Sequence, residues 1–270
     1  MYPRLLVTNF LTIHTFGVLL AASYGAALWW LVRGARRTGI DPEEMMSVGF
    51  WAIGGAIVGA KLLMIVRMMA DGSAPSELFS PSMLTAAGDF YGGFIGGVAG
   101  AAIAFKLHPT IGVWQAADLC APSIALGQAI GRVGCFMAGD DYGSPASVPW
   151  AVVFTDPYAY RIGGVPLNVP LHPVQLYESV VCLLIFFALV WLAGRKRFDG
   201  EVILTYVTLY AVARFIIEYF RGDDDRGFIF GHLFSTSQFI AVVLFILALV
   251  LLPFRMKRQD QTARIPEPLR

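Results

Sequence analysis

Charged side chains interrupt several long apolar stretches of this 270-residue sequence, at Lys61, Asp118, Arg132, Arg214 and Glu218. An ionised side chain inside a lipid bilayer costs several kcal/mol of free energy unless it is paired or faces water. These residues are therefore candidates either for a functional site or for ion pairs that lock helices together. For the deeper Lys61 and Asp118 we favour the structural interpretation, although Asp118 stays a candidate for substrate binding.

The remaining charges gather toward one end of their apolar segments. Arg214, Glu218 and Arg221 are spaced four and three residues apart, so they share one stripe of a helix, and Arg132 lies near the corresponding end of another segment. A planar guanidinium binds phosphate through two parallel hydrogen bonds. The excess of arginine therefore predicts a site for a phosphate head group. Alternatively, Arg214 pairs with Glu218 and Arg132 with Glu178 as structural locks.

The composition predicts the elements that must position these residues. Hydrophobic residues make up 57% of the chain and charged residues 14%, whereas about a quarter of the residues in soluble domains are charged. An all-α polytopic membrane protein with seven transmembrane helices is therefore predicted, since a span needs about 20 residues. The seven apolar segments are 10–32, 47–69, 88–107, 115–138, 173–193, 201–220 and 233–254.

Basic residues predict how the seven spans are oriented. They lie at or just after the ends of the first, third, fifth and seventh spans, and the positive-inside rule places such residues in the cytoplasm. We therefore expect an N-terminus outside, a C-terminus in the cytoplasm and a small extracytoplasmic head at 139–172. Residues 1–258 are predicted as one seven-helix transmembrane domain, and the polar residues 259–270 as a disordered cytoplasmic tail. The basic residues are Arg33, Arg36, Arg37, Lys106, Arg195, Lys196, Arg197, Arg255, Lys257 and Arg258.

Several function classes are disfavoured. A net charge of +1 gives no basic face for a nucleic-acid partner. Cys120, Cys135 and Cys182 lie in apolar stretches without paired spacing, which favours free thiols over a disulfide framework or a zinc site. The first apolar run lacks a small-residue cleavage site and is interpreted as an anchor, not as a cleaved signal peptide.

Glycines four residues apart predict close packing between the second and third spans, because small side chains let helix backbones approach each other in lipid. Gly92 and Gly93, at the start of the third span beside Asp89, could also present backbone amides to a ligand. The spaced glycines are Gly55 and Gly59 on one span and Gly92, Gly96 and Gly100 on the other.

Three motifs follow one another along the chain. They are Gly131-Arg132-Val133-Gly134-Cys135-Phe136-Met137-Ala138-Gly139 with Tyr142-Gly143, then His172-Pro173-Val174-Gln175-Leu176-Tyr177-Glu178, and Arg214-Phe215-Ile216-Ile217-Glu218-Tyr219-Phe220-Arg221. Weaker matches are Ile13-His14-Thr15-Phe16-Gly17, Asp89-Phe90-Tyr91-Gly92-Gly93-Phe94-Ile95-Gly96, and Asp118 before Ala121-Pro122. With these motifs in this order, nearly the whole chain resembles the prolipoprotein diacylglyceryl transferases.

The resemblance implies a specific reaction. Members of this family move the diacylglyceryl group of phosphatidylglycerol onto the lipobox cysteine thiol of a prolipoprotein and release glycerol 1-phosphate. They work in the bacterial inner membrane without a metal or an organic cofactor, and they have seven spans with the N-terminus outside. The implied partners are therefore phosphatidylglycerol, the prolipoprotein signal peptide and membrane lipid.

The sequence departs from the family pattern at four positions. Tyr91 stands where the family usually has a histidine proposed as a base, and Cys135 and Ala138 stand where the signature has asparagines. Asp140 replaces the signature's glutamate. The arginines are intact, so the phosphate side of the predicted site is kept while the side that would activate the thiol differs.

Roles follow from the resemblance and from the chemistry of the residues. We predict that Arg132 and Arg214 stabilise the charge that develops on the phosphate, with Arg221 as a third donor and Glu218 holding Arg214. Tyr91 is predicted to hydrogen-bond the head group, because a phenol with a pKa near 10 is a poor base, and His172 is the other candidate base. Further substrate-binding candidates are Gly92, Gly93, Gln175, Tyr177, Glu178, Asp118, Asp140, Gly143, His14 and Phe16.

Other functions stay open. A divergent family member with an altered lipid or acceptor, or one without catalysis, fits the departures described above. A lipid or small-molecule transporter is a further alternative, although the sequence has no visible inverted repeat. A retinal-type receptor is disfavoured, because the span 233–254 contains no lysine for a Schiff base.

Overall fold

The architecture of the chain is helical. The computed structural model describes residues 3–8, 12–72, 88–223, 227–229 and 233–263, and it is 72% helical. Within these ranges seven helices are long and apolar enough to cross a membrane, which confirms the predicted all-α polytopic class. They are α1 (Thr15–Thr38), α2 (Pro42–Ala70), α3 (Phe90–Leu107), α4 (Val113–Ala138), α6 (Val174–Ala193), α7 (Glu201–Ile217) and α8 (Thr236–Ala263).

Shorter elements connect the spans. Helix α5 is Pro157–Gly163, and a 3₁₀ turn, Glu218–Phe220, extends α7. Three two-stranded antiparallel sheets complete the described part of the fold. They pair β1 (Arg4–Val7) with β2 (Thr12–His14), β3 (Val152–Val153) with β4 (Pro170–Leu171), and β5 (Phe228–Ile229) with β6 (Phe234–Ser235).

The ends of the chain differ from the predicted boundaries. The first span was predicted over 10–32, but α1 begins at Thr15, because the preceding residues Thr12–His14 form a strand that pairs with Arg4–Val7. The last helix continues to Ala263, so it includes 259–263 of the predicted disordered tail. Residues 264–270 lie outside the described part of the chain.

The segment 139–172 forms a small head with a hydrophobic core of its own. A short helix starts where the Asp156 carboxylate accepts a hydrogen bond from the Tyr158 amide, and it ends at Gly164, whose φ of 69° suits a left-handed cap. The segment predicted as a small head thus has a capped helix and a buried core. The buried core residues are Phe154, Ala159, Val165 and Leu171.

Backbone proximity divides the chain into two compact units, 31–116 and the combination of 1–30 with 117–270. Each is described by itself, and the prediction of one domain over 1–258 stays a prediction. In the smaller unit α2 packs on α3 through the predicted glycines. A Cβ atom on Gly96 would lie 2.1 Å from the Gly55 carbonyl oxygen, and one on Gly59 would lie 2.3 Å from that of Gly92. The two backbones are thus in direct contact, as the spacing predicted.

This contact yields a test with an internal control. We expect Gly96→Val to destabilise the α2–α3 pair strongly, because its Cβ atom would overlap the backbone of the facing helix. The matched control is Gly54→Val, since a Cβ atom at Gly54 has no neighbour within 4 Å. Thermal unfolding in detergent should show a much lower midpoint for Gly96→Val alone. Equal midpoints for the two variants would contradict the packing described here.

Candidate active site

The larger unit holds Arg132 near the end of α4 that leads into the head. Its Nε donates to Glu178 Oε2 of α6 at 3.1 Å, and its Nη1 pairs with the Asp141 carboxylate. Glu178 is buried and also accepts a hydrogen bond of 2.8 Å from the Tyr210 hydroxyl on α7. The predicted Arg132–Glu178 pair is therefore confirmed, and it fixes one edge of the guanidinium.

Arg221, at the end of the 3₁₀ turn, binds the carboxylate of Asp141, as Arg132 does. Its Nη2 lies 2.6 Å from Asp141 Oδ1, and its Nε donates to Asp223 Oδ1 at 2.8 Å. The backbone of Arg221 forms an antiparallel bridge with Gly143 of the head. Head and helix end therefore position Arg221 together.

Asp141 is the residue that sequence analysis missed. One of its oxygens pairs with Arg132 and the other with Arg221, so the two guanidiniums converge on a single carboxylate. This depends on a left-handed backbone at Asp141, with φ at 52°, just after Gly139 at 82°. Burial opposes ionisation, but the two guanidiniums prevail and lower the pKa of Asp141 to about 2. Two adjacent acids, eight and nine residues after Arg132, were the available signal.

The neighbouring Asp140 behaves differently. Desolvation, followed by the charge of Asp141, raises the pKa of Asp140 to about 6. The Cys135 sulfur and carboxylate oxygens of Asp140 and Asp141 all lie within 4.8 Å of one another, a spacing that could hold a metal ion. The guanidiniums of Arg132 and Arg221 already bind Asp141 there. We therefore assign no metal to this cluster.

Arg214, near the end of α7, forms an ion pair with Glu218 of the 3₁₀ turn. Its Nη1 lies 2.5 Å from Glu218 Oε2, and its Nη2 donates to Ser237 Oγ of α8 at 3.1 Å. The predicted Arg214–Glu218 pair is thus confirmed. Both side chains are largely buried, so this guanidinium also has a fixed orientation.

Residues of the motif 172–178 connect the head to α6 next to the candidate site. Gln175 is buried and donates from Nε2 to the Asp140 carbonyl oxygen at 2.7 Å, which holds the turn after α4. The Tyr177 hydroxyl accepts from Trp150 Nε1 at 2.7 Å and lies 3.1 Å from His172 Nδ1. Gln175, Tyr177 and His172 therefore tie the head to α6, and this accounts for them without a lipid contact.

His14, Phe16 and Gly143 occupy packing positions in the same unit. The His14 ring stacks on Tyr158 of the head with 5.8 Å between ring centroids. Phe16 lies beside Gly134 on α4, 3.4 Å from where a Cβ atom would stand. A Cβ atom on Gly143 would lie 2.2 Å from the His172 carbonyl oxygen. These residues bring the N-terminal segment and the head onto α4.

Tyr91, Gly92 and Gly93 belong to the smaller unit, at the start of α3. The Asp89 carboxylate accepts hydrogen bonds from the amides of Tyr91 at 2.9 Å and Gly92 at 3.2 Å, and it pairs with Arg67 at 2.9 Å. The Gly93 amide donates to the Asp89 carbonyl oxygen. These amides are engaged within the unit, so capping and packing account for the two glycines better than the predicted lipid contact.

Asp118 lies far from the arginines. It is 14 residues before Arg132 on α4, roughly 21 Å along the helix axis. Its Oδ1 accepts from the amides of Val202 and Ile203 at the start of α7, and its Oδ2 from the Gly200 amide and from Lys196. The carboxylate thus caps a helix N-terminus from a different helix, which agrees with the favoured structural interpretation of Asp118, while its predicted substrate contact stays a prediction.

Comparison with known proteins places this arrangement in a family. The family model described as prolipoprotein diacylglyceryl transferase matches residues 3–254. The phosphatidylglycerol–prolipoprotein diacylglyceryl transferase of Clostridium tetani is 34% identical over 255 residues, 92% of this chain and 96% of that protein. Proteins of the same name from Enterococcus faecalis and Thermosynechococcus vestitus are each 32% identical, covering 92% and 80% of this chain and 88% and 80% of their own lengths. The chain belongs to the prolipoprotein diacylglyceryl transferase family, as the motifs predicted.

The role of Asp118 can be separated from catalysis. Asp118→Asn should lower the free energy of unfolding by roughly 2–3 kcal/mol, because asparagine keeps only one of the two acceptor oxygens and loses the charge that pairs with Lys196, while the KM for lipid should not change. The matched control is Asp156→Asn, which caps the short helix α5 through the Tyr158 amide and should cost less. Thermal unfolding and lipid titration measure the two effects. A raised KM in a fully stable Asp118→Asn variant would restore the substrate-binding interpretation.

Proposed function

We propose that this protein transfers the diacylglyceryl group of phosphatidylglycerol to the lipobox cysteine thiol of prolipoproteins, the first step of lipoprotein maturation. Family membership supports the reaction. The observation that carries the site is the convergence of Arg132 and Arg221 on one anion, because two guanidiniums whose other edges are held by carboxylates form a preorganised receptor for phosphate.

The chemistry requires stabilisation of a leaving phosphate. The thiolate sulfur bonds to the glycerol carbon that carries the phosphate, the carbon–oxygen bond breaks, and its electron pair stays on the phosphate oxygen. The released glycerol 1-phosphate carries more negative charge than the diester did, since a phosphate monoester has a second pKa near 6. Fixed positive charge at this oxygen acts where negative charge develops, which is the most effective place for it.

Three arginines supply that charge in our proposal. Arg132 and Arg221 bind the phosphate directly, and Arg214 stabilises it as a further donor. Glu178 and Glu218 keep Arg132 and Arg214 oriented through ion pairs of 3.1 Å and 2.5 Å. Because these guanidiniums are held before the lipid binds, little reorganisation is needed during the reaction.

Thiol activation is the second requirement. A cysteine thiol with a pKa near 8.5 is only a few percent ionised at neutral pH. We propose that Tyr91 hydrogen-bonds the head group and that the reaction draws on the thiolate present at the working pH. His172, the other candidate base, contacts Tyr177 of α6 and Phe220 of the 3₁₀ turn, and these contacts support a structural role for it.

The cellular setting is also proposed. The end of the larger unit that carries Arg132 and the head faces outward, the N-terminus is outside and the C-terminus is cytoplasmic, as the basic residues predict. The membrane is the bacterial inner membrane, where the lipid and the prolipoprotein signal peptide are both present. We propose no metal or organic cofactor for this reaction.

Substitution of the arginines tests the proposal. In purified protein with phosphatidylglycerol and a lipobox peptide, Arg132→Ala and Arg214→Ala should each lower the transfer rate at least a hundredfold to a thousandfold, because losing a charge-assisted contact in a dry site costs roughly 3–5 kcal/mol. Tyr91→Phe should lose about one neutral hydrogen bond, ~1 kcal/mol. Mass spectrometry of the peptide measures the product.

The control for this series is Arg195→Ala. Arg195 follows the opposite end of α6 from Glu178 and stacks on Trp191, so near-normal transfer is expected. Transfer should also rise toward the thiol's own pKa in wild type and Tyr91→Phe alike. Near-normal turnover of stably folded Arg132→Ala and Arg214→Ala would refute the phosphate site, and a thousandfold loss in Tyr91→Phe would identify Tyr91 as the base.

A further inference from the structure

Among the residues that the structure describes, four carboxylates pair with the arginines of the candidate site, and they differ in how accessible they are. The side chains of Glu178 and Glu218 are 4% and 1% exposed, and that of Asp223 is 13% exposed. The side chain of Asp141 is 30% exposed. A buried carboxylate that leaves its arginine must stay in an apolar surrounding, whereas Asp141 can turn toward water at far smaller cost.

The contacts of Asp141 also differ in kind. Glu178 binds Nε of Arg132, and Asp223 binds both Nε and Nη2 of Arg221, so each of these two carboxylates contacts a single guanidinium. Asp141 joins the terminal nitrogens of both guanidiniums with its two oxygens. The two arginines therefore bind an anion through two oxygens on one central atom. A phosphate can present two oxygens in the same way.

We propose that the Asp141 carboxylate occupies the position of the lipid phosphate between Arg132 and Arg221, and that an anionic head group must displace it to bind. This inference rests on the proposed function, since it identifies which arginine nitrogens receive the phosphate. Asp141 thereby becomes a specificity-determining residue, because a lipid without a negative head group has nothing to offer the arginines in exchange.

Charge balance explains why such a residue is useful. A phosphodiester carries one negative charge, so its exchange for Asp141 leaves the charge around the two guanidiniums unchanged. The monoester product carries up to one more negative charge than the phosphodiester, and this extra charge would make it bind the two arginines more tightly. When the Asp141 carboxylate binds the two arginines again, it competes with the product and favours product release. Because the arginines hold the pKa of Asp141 at about 2, the competing carboxylate stays ionised at any working pH.

The test is a binding titration of glycerol 1-phosphate to the full chain in dodecyl maltoside, a detergent without phosphate. Asp141→Asn removes the charge and suits the φ of 52°, which asparagine tolerates. We expect it to bind glycerol 1-phosphate about tenfold more tightly, the effect of one charge-assisted contact. In the transfer assay its KM for phosphatidylglycerol should fall, and inhibition by added glycerol 1-phosphate should increase.

The matched control is Asp223→Asn, which makes the same charge change but frees only Arg221. Equal tightening in both variants would show a general charge effect and overturn the inference. Weaker binding in Asp141→Asn would overturn it as well, since Asp141 would then help to hold the phosphate. Asp141→Gly, which also tolerates the positive φ, checks a poorly folded Asp141→Asn and should tighten binding likewise.

The outcomes separate this inference from the proposed function. The titration needs no lipobox peptide and no turnover, so it reports on Asp141 even if the wild-type protein transfers nothing. Absence of transfer with tighter binding by Asp141→Asn would reject the proposed activity and keep the displaced carboxylate. Normal transfer by the wild-type protein with unchanged glycerol 1-phosphate binding in Asp141→Asn would support the proposed activity and reject the displaced carboxylate.

Discussion

The structure depends on one constraint: a charge in an apolar surrounding must have a partner. Arg132 meets it through Glu178, which lies on a different helix, and Arg214 meets it through Glu218 and a hydrogen bond to Ser237. These contacts join α4 to α6 and α7 to α8. The residues that bind the phosphate in our proposal are therefore also those that fix the distances between helices, which explains how a site of flexible side chains can be rigid.

Within each of the two units, the helices associate through a different kind of contact. In the larger unit polar side chains link the helices, and Asp118 even caps α7 from another helix. In the smaller unit the helices α2 and α3 rely on backbone contact, for which glycine leaves the room: Gly55 faces Gly96 and Gly59 faces Gly92. Hydrophobic burial gives little drive for association in lipid, so close packing and polar contacts replace it.

Sequence reasoning predicted the features that a single segment or a helical spacing determines, and it also predicted the pair Arg132–Glu178 between two helices. Hydropathy gave seven spans, and the pair Arg214–Glu218 followed from a spacing of four residues. The partners of Asp141 and Asp118 could not be predicted, for a shared reason. Asp141 meets Arg132 and Arg221 only because a left-handed turn redirects the chain after α4, and Asp118 meets the start of α7 only in the folded unit. Neither depends on a local pattern.

Backbone hydrogen bonds join the head to the 3₁₀ turn that precedes Arg221. They connect motifs that are distant in sequence. The Ser144 amide donates to the Phe220 carbonyl oxygen at 2.8 Å, and the His172 amide donates to the Ser144 carbonyl oxygen at 3.0 Å. Gly143 lies between these segments with no space for a Cβ atom, which would stand 2.2 Å from the His172 carbonyl oxygen. Any displacement of the head must therefore move Arg221, which is one of the two arginines of the proposed phosphate site. The glycine that ends the first motif is thus needed for the arginine that ends the third, since backbone contact transmits the position of one to the other.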